Sequence, residues 1–281
     1  MPARLTTFPV VMASLLPWHS PTAVHLSMAL VGLLVGVLVG LTGAGGGALL
    51  TPLLILVFGL PNLAAVGSDL VTSLAMKPVG GLVHLHHRTV RLDIAKWLSV
   101  GSVPGAVMGV AALDLAGHRA VSYVRPLIGV VLLATGAAML LRRQFARRAA
   151  ALAIARGEDP SASPSLRRLP TVALGLAGGV LVGMTSVGSG TLMLAGLTLL
   201  YPGLTAAELV GTDLVQAIPL VGAAALAHLV SGDVSFPVSG FLMLGAVPGV
   251  YVGARLSSRT NGRYLRPLVL LLIVASGIKL L

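Results

Sequence analysis

The chain of 281 residues is 56% hydrophobic and 10% charged, with a mean hydropathy of +0.97, which excludes an ordinary soluble domain. Its formal charge of +11 comes from Lys+Arg 19 against Asp+Glu 8, but the basic residues flank apolar segments without interleaved aromatics, which argues against a nucleic-acid surface. With no cysteine there is no disulfide framework, no thiol chemistry and no cysteine-based zinc site.

In chain order, residues 1–23 carry Arg4 and a short apolar run interrupted by Pro9 and Pro17, and they read as an N-terminal extension. A first helix is expected over 24–42. It runs into GVLVGLTGAGGGALLTP at 36–52, where an apolar stretch dissolves into glycines and resumes as a second helix over 48–59. That helix is too short to cross comfortably, since a span needs about 20 apolar residues. Pro61 and Asn62 signal the start of a third helix reaching 84. HLHHRTVRLDIAK then makes a basic connection to a fourth helix over 94–113, and a fifth follows over 121–141. Residues 142–169 form a basic linker carrying Arg142, Arg143, Arg147, Arg148, Arg156, Arg167 and Arg168, which positive-inside bias assigns to the cytoplasm. Within it an amphipathic helix over 143–156 precedes a coil containing Pro160 and Pro164, and anionic membrane lipid is the expected partner.

The second half repeats the plan, with helices expected over 171–185, 191–200, 206–230, 236–256 and 264–281. GVLVGMTSVGSGTLM at 179–193 answers the first glycine break, so that Gly40, Gly43, Gly45 and Gly47 correspond to Gly183, Ser186, Gly188 and Gly190. Val66-Gly67-Ser68-Asp69 matches Val210-Gly211-Thr212-Asp213, His84 falls on His228, and Pro104-Gly105 on Pro248-Gly249. The basic residues change sides between the halves. Arg88, Arg91 and Lys96 follow the third helix of the first half, whereas Arg255, Arg259 and Arg263 follow the fourth helix of the second. The expected fold is therefore an all-α polytopic membrane protein of two inverted-topology repeats, 24–141 and 170–281, each of about five helical segments with a glycine-broken pair. Both termini and residues 59–67 are expected on the external face.

Glycine clusters weaken helices and free backbone N–H groups, so in a membrane they persist where protein or a polar cavity satisfies those groups. One reading is close helix packing; the other is an anion site, with the short helices after Gly43, Gly45, Gly46 and Gly47 and after Gly188 and Gly190 presenting their positive N-termini. Thr42, Thr185, Ser186, Ser189 and Thr191 would add hydroxyl donors, and no Gly-Lys-Ser/Thr follows to make a P-loop. Asp69 and Asp213 read either as helix caps or as proton carriers, because a carboxylate in a membrane interior is costly to keep charged. Lys77, matched by Val221 in the second half, shares a broad helical face with Asp69, Thr72, Ser73 and His84; on the matching helix Asp213, Gln216 and His228 continue the theme. Lys77 and Gln216 are thus candidate substrate ligands, and His84 and His228 candidate proton groups. His84, His86 and His87 form an interfacial cluster rather than a metal site, and nothing calls for a cofactor. Prolines 52, 78, 104, 219 and 248 are expected to kink their helices.

Two halves that each carry a glycine-rich break, a V-G-[ST]-D motif and a proline-containing fourth helix resemble the TauE/SafE family of sulfite and organosulfonate exporters. The resemblance covers the chain apart from the N-terminal extension and the linker. It implies an inner-membrane carrier exporting a small anion such as sulfite, sulfoacetate or a related sulfonate. Alternating access with proton coupling is the expected mechanism. Another small anion is the alternative, and an intramembrane enzyme a weaker one, because no nucleophile and base are paired by spacing.

Overall fold

The computed structural model describes residues 21–42, 46–155, 157, 165–257 and 265–281. Its described elements are all helical: α1 (Pro21–Thr42), α2 (Gly47–Leu56), α3 (Asn62–His86), α4 (Leu92–Ala116), α5 (His118–Ala155), α6 (Arg168–Thr185), α7 (Thr191–Leu200), α8 (Ala206–Ser231), α9 (Phe236–Ser257) and α10 (Leu265–Leu280). Six of them, α1, α4, α5, α6, α8 and α9, are long and apolar enough to cross a membrane. Helix α3 is as long as α4 but carries Asp69 and Lys77 in its interior. Exposed Leu30, Leu34, Val107, Leu244 and Leu271 give the bundle an apolar perimeter, as lipid contact requires.

Three boundaries differ from the sequence expectation. The first helix is already formed at Pro21, the first described residue, rather than starting at 24. The third helix starts at Asn62 as expected but runs to His86 rather than 84. The fifth helix and the separate amphipathic helix are one continuous α5, because the Ala-, Leu- and Arg-rich run after Leu141 consists of strong helix formers. The proposed coil from Pro160 to Pro164, Arg156 and the first twenty residues lie outside the described residues.

Glycine sets the packing of the bundle. Gly32, Gly36 and Gly40 of α1 lie against α9, which answers with Gly245, Gly249 and Gly253. A Cβ on Gly36 would stand 2.4 Å from the Ala246 carbonyl oxygen, so the two backbones are in direct contact. The same device joins α4, through Gly101, Gly105 and Gly109, to Gly175, Gly179 and Gly183 of α6. Spacing at every fourth residue puts each set on one helix stripe, the small-residue mode of membrane helix packing. Gly40 and Gly183, grouped in the sequence with the breaks, are the last rungs of these two stripes.

Every such contact has a counterpart in the other half: α1 on α9 answers α6 on α4, α3 on α9 answers α8 on α4, and α2 on α10 answers α7 on α5. The equivalent helices α3 and α8 cross each other directly. They run antiparallel, since Gly81 meets Val215 and Ile218 while Gly222 meets Leu74. Helices α5 and α10 do the same, with Gly129 on Gly277 and Gly136 on Val274.

Candidate functional site

The second break is built by local hydrogen bonding. Ser186 takes a left-handed conformation (φ 58) and its N–H donates to the Val182 carbonyl, which ends α6. The Thr185 hydroxyl donates to the Leu181 carbonyl and accepts from the Val187 N–H, satisfying groups that the helix can no longer reach. Gly188 (φ 108) then reverses the chain so that α7 can start at Thr191. In the first half, the Gly46 carbonyl accepts from the Leu49 and Leu50 N–H groups as α2 begins at Gly47. Gly43 and Gly45 lie outside the described residues, as does the side chain of Thr42.

The two breaks meet. Gly47 packs on the Ser186 carbonyl so closely that a Cβ there would stand 2.0 Å from the oxygen. Around this contact lies a narrow crevice lined by Gly47, Ala48, Ser186, Gly188, Ser189, Gly190 and Thr191. The N-termini of two short helices, each with first-turn N–H groups unused by the helix, therefore border one space.

Asp69 is wholly buried beneath it. Its carboxylate accepts from three hydroxyls: Thr51 on α2, Ser186 at the break (2.9 Å) and Ser73 one turn along its own helix (3.2 Å). Lys77, also buried, donates to the Ser189 hydroxyl at 3.1 Å and to the Ser189 carbonyl at 3.4 Å. Asp213 on α8 is equally enclosed, yet its Oδ1 has no hydrogen-bond partner among the described residues. Lys77 interacts electrostatically with both acids. Gln216, one turn past Asp213, accepts from Ser102 of α4 at 3.1 Å, while its buried Nε2 has no partner among the described residues.

Neither aspartate caps a helix. The N-cap of α3 is Pro61, and that of α8 is Thr205, which forms a reciprocal capping box with Glu208. The capping work of the V-G-[ST]-D motif belongs to its third residue and serves the other half of the chain. Ser68 accepts from the Ser235 N–H just before α9, and Thr212 accepts from the Arg91 N–H just before α4, each at 3.0 Å. The glycine lets the chains approach: Gly67 lies against the Asp233 carbonyl and Gly211 against that of Thr89. The aspartate is left for the interior.

The histidines are placed apart from this cluster. His84 is half-buried at the far end of α3, its Nδ1 2.8 Å from the Thr89 hydroxyl, and fifteen residues of helix put it about 22 Å along the axis from Asp69. His86 and His87 are exposed and meet edge to face. His228 is fully buried at the matching end of α8, with Nε2 2.8 Å from the Gly183 carbonyl and Nδ1 3.1 Å from Asp233. Thr51, Ser102 and Asp233 did not emerge from the sequence as site residues. A lone threonine four residues past Gly47 in an otherwise apolar helix was the available signal for the first.

The chain matches the family described as sulfite exporter TauE/SafE over residues 28–280. It is 36% identical over 259 residues to the probable membrane transporter protein YjnA of Bacillus subtilis (strain 168), covering 91% of this chain and 99% of that protein. It is 25% identical over 252 residues to the probable membrane transporter protein YdhB of the same organism, covering 90% and 98%. No solved structure matches the chain.

Proposed function

We propose, from the premise that this chain belongs to the TauE/SafE sulfite exporter family of membrane transporters, that it carries a small sulfur oxyanion or organosulfonate outward across the inner membrane by alternating access. The observation that carries this reading is the position of Lys77: a buried ammonium, hydrogen-bonded to neutral Ser189, beside the crevice where two helix N-termini converge. Lys77, the Gln216 Nε2, the hydroxyls of Ser189 and Thr191 and the amides following Gly46 and Gly190 would bind the anion's oxygens. The two halves act as inverted-topology repeats that rock about the α3–α8 crossing. The antiparallel packing of these equivalent helices and the exchange of basic loops support that view. The termini then face outward and the α5 extension faces the cytoplasm.

Proton coupling follows from charge. Two carboxylates and one ammonium leave the buried cluster with a formal charge of −1, and an incoming anion would deepen it in a poorly screened interior. A proton on Asp213, whose Oδ1 has no donor among the described residues, offsets that charge, whereas Asp69 is stabilised as a carboxylate by three hydroxyls. The test is flux in proteoliposomes against a panel of small anions, with a pH gradient imposed or abolished. Uptake of sulfite or a sulfonate that accelerates with the gradient is expected. Indifference to every sulfur anion, with transport of another class, would replace the substrate assignment.

A further inference from the structure

A second proton site is built where α6 ends. In a continuing helix the Gly183 carbonyl would accept from the amide of residue 187, but the left-handed turn at Ser186 diverts the Val187 N–H to Thr185. His228 takes the vacated carbonyl through Nε2 at 2.8 Å. A carbonyl oxygen only accepts, so Nε2 carries a hydrogen. The other ring nitrogen, Nδ1, faces Asp233 Oδ2 at 3.1 Å. A neutral ring already protonated at Nε2 has only a lone pair at Nδ1, and an ionised carboxylate has only lone pairs too. Their contact requires one proton more than the neutral ring and carboxylate hold between them. The equivalent pair in the first half has no such need, because His84 Nδ1 meets the hydroxyl of Thr89, which brings its own hydrogen.

We propose that His228 and Asp233 hold one exchangeable proton as an imidazolium–carboxylate pair, and that this proton latches the second break in place. The latch is short. His228 grips Gly183, three residues before Ser186, whose hydroxyl reaches Asp69, and the Asp233 backbone carbonyl packs on Gly67, two residues before Asp69. His228 is enclosed, while the Asp233 side chain is 19% exposed and offers the proton a way out. Among the described residues, the other titratable groups nearby are Asp114 on α4, which accepts from Ser231 at 2.6 Å, and Asp69 on α3, turned toward Thr51, Ser73 and Ser186. Loss of the proton leaves two lone pairs opposed, so the pair parts, the α6 end is released and Ser186 withdraws from Asp69. The proton site stands on the hydrogen-bond geometry alone; only its effect on flux rests on the transport reading.

Nitrogen-15 histidine spectra of the whole chain in nanodiscs test the pair directly, with the His228 signal identified by its loss in His228→Gln. Both ring nitrogens should be protonated while the pair is intact, and Asp233→Thr, which copies the first half, should leave only Nε2 protonated. A cysteine placed at Met184 reports the latch. Its maleimide labelling should rise at least tenfold as the pair loses its proton and should be independent of pH in Asp233→Thr. A neutral His228 in the wild-type spectrum overturns the proton site, and pH-independent labelling of the wild-type background overturns the latch. Both results would stand whether or not any sulfur anion proves to be the substrate.

Discussion

Ser186 donates a 2.9 Å hydrogen bond to Asp69, a residue 117 positions earlier, and so ties the glycine break of one half to the buried acid of the other. The reverse bond cannot form. The position equivalent to Ser186 is Gly43, that of Thr51 is Leu194 and that of Ser73 is Ala217, so Asp213 lacks all three donors that surround Asp69. Matched motifs have thereby acquired different chemistry.

From this asymmetry Asp213→Asn is expected to flatten the pH profile of transport while anion binding stays measurable. Asp69→Asn should instead reduce the yield of folded protein, since an amide presents an NH2 to at least one of three hydroxyls now arranged as donors, at about 1–3 kcal/mol. Flux at several pH values and thermal unfolding in detergent separate the two. Unchanged flux and pH profile in both variants would make the acids structural.

Replacing Lys77 by methionine keeps the length of the side chain and removes its charge. Anion affinity should fall at least tenfold, about 1.4 kcal/mol, in equilibrium binding to purified protein. The loss should be partly restored by arginine. If the methionine variant binds as wild type does, the ammonium serves only to balance Asp69 and Asp213.

The glycine stripes make a sharp stability prediction. A Cβ at Gly105 would meet the Leu176 carbonyl oxygen at 2.4 Å, a backbone atom that cannot swing away, so Gly105→Leu should cost about 3 kcal/mol or more and deplete the folded fraction. Gly240, within α9, has open space around its Cβ position, and Gly240→Ala should be neutral or stabilising by up to about 1 kcal/mol. Melting temperatures of the two variants in one detergent make the comparison.

Topology can be read by cysteine labelling, since the chain contains no cysteine of its own. Gly59→Cys, in the exposed turn after α2, should react with an impermeant maleimide added from outside, and Gly157→Cys, beyond α5, only after the membrane is opened. The opposite pattern would invert the assigned orientation and with it the direction of transport.

Hydropathy and glycine placement were sufficient, in the sequence alone, to determine a helical membrane bundle and the end of α6 at its glycine cluster. The seventh helix was legible residue for residue at Thr191–Leu200 because a glycine cluster and a following tyrosine-proline pair bound it locally. These signals lie within a few residues of what they specify. Even the junction of α5 with its basic extension was missed for a local reason, a change of solvent without a change of helix propensity.

Tertiary structure alone decided partnership. Whether Gly40 belonged to a break or to a packing stripe depended on α9, more than two hundred residues away, and whether Asp69 was a cap or an interior acid depended on Thr51 and Ser186 arriving from two other helices. His84 and Lys77 share a helix and a face in sequence, yet the crossing with α8 encloses Lys77 and leaves His84 at the end with Thr89. Helical periodicity specifies the face on which a side chain lies. The partner that meets that face is set by the packing of backbones that only glycine allows to touch, and no local pattern contains it.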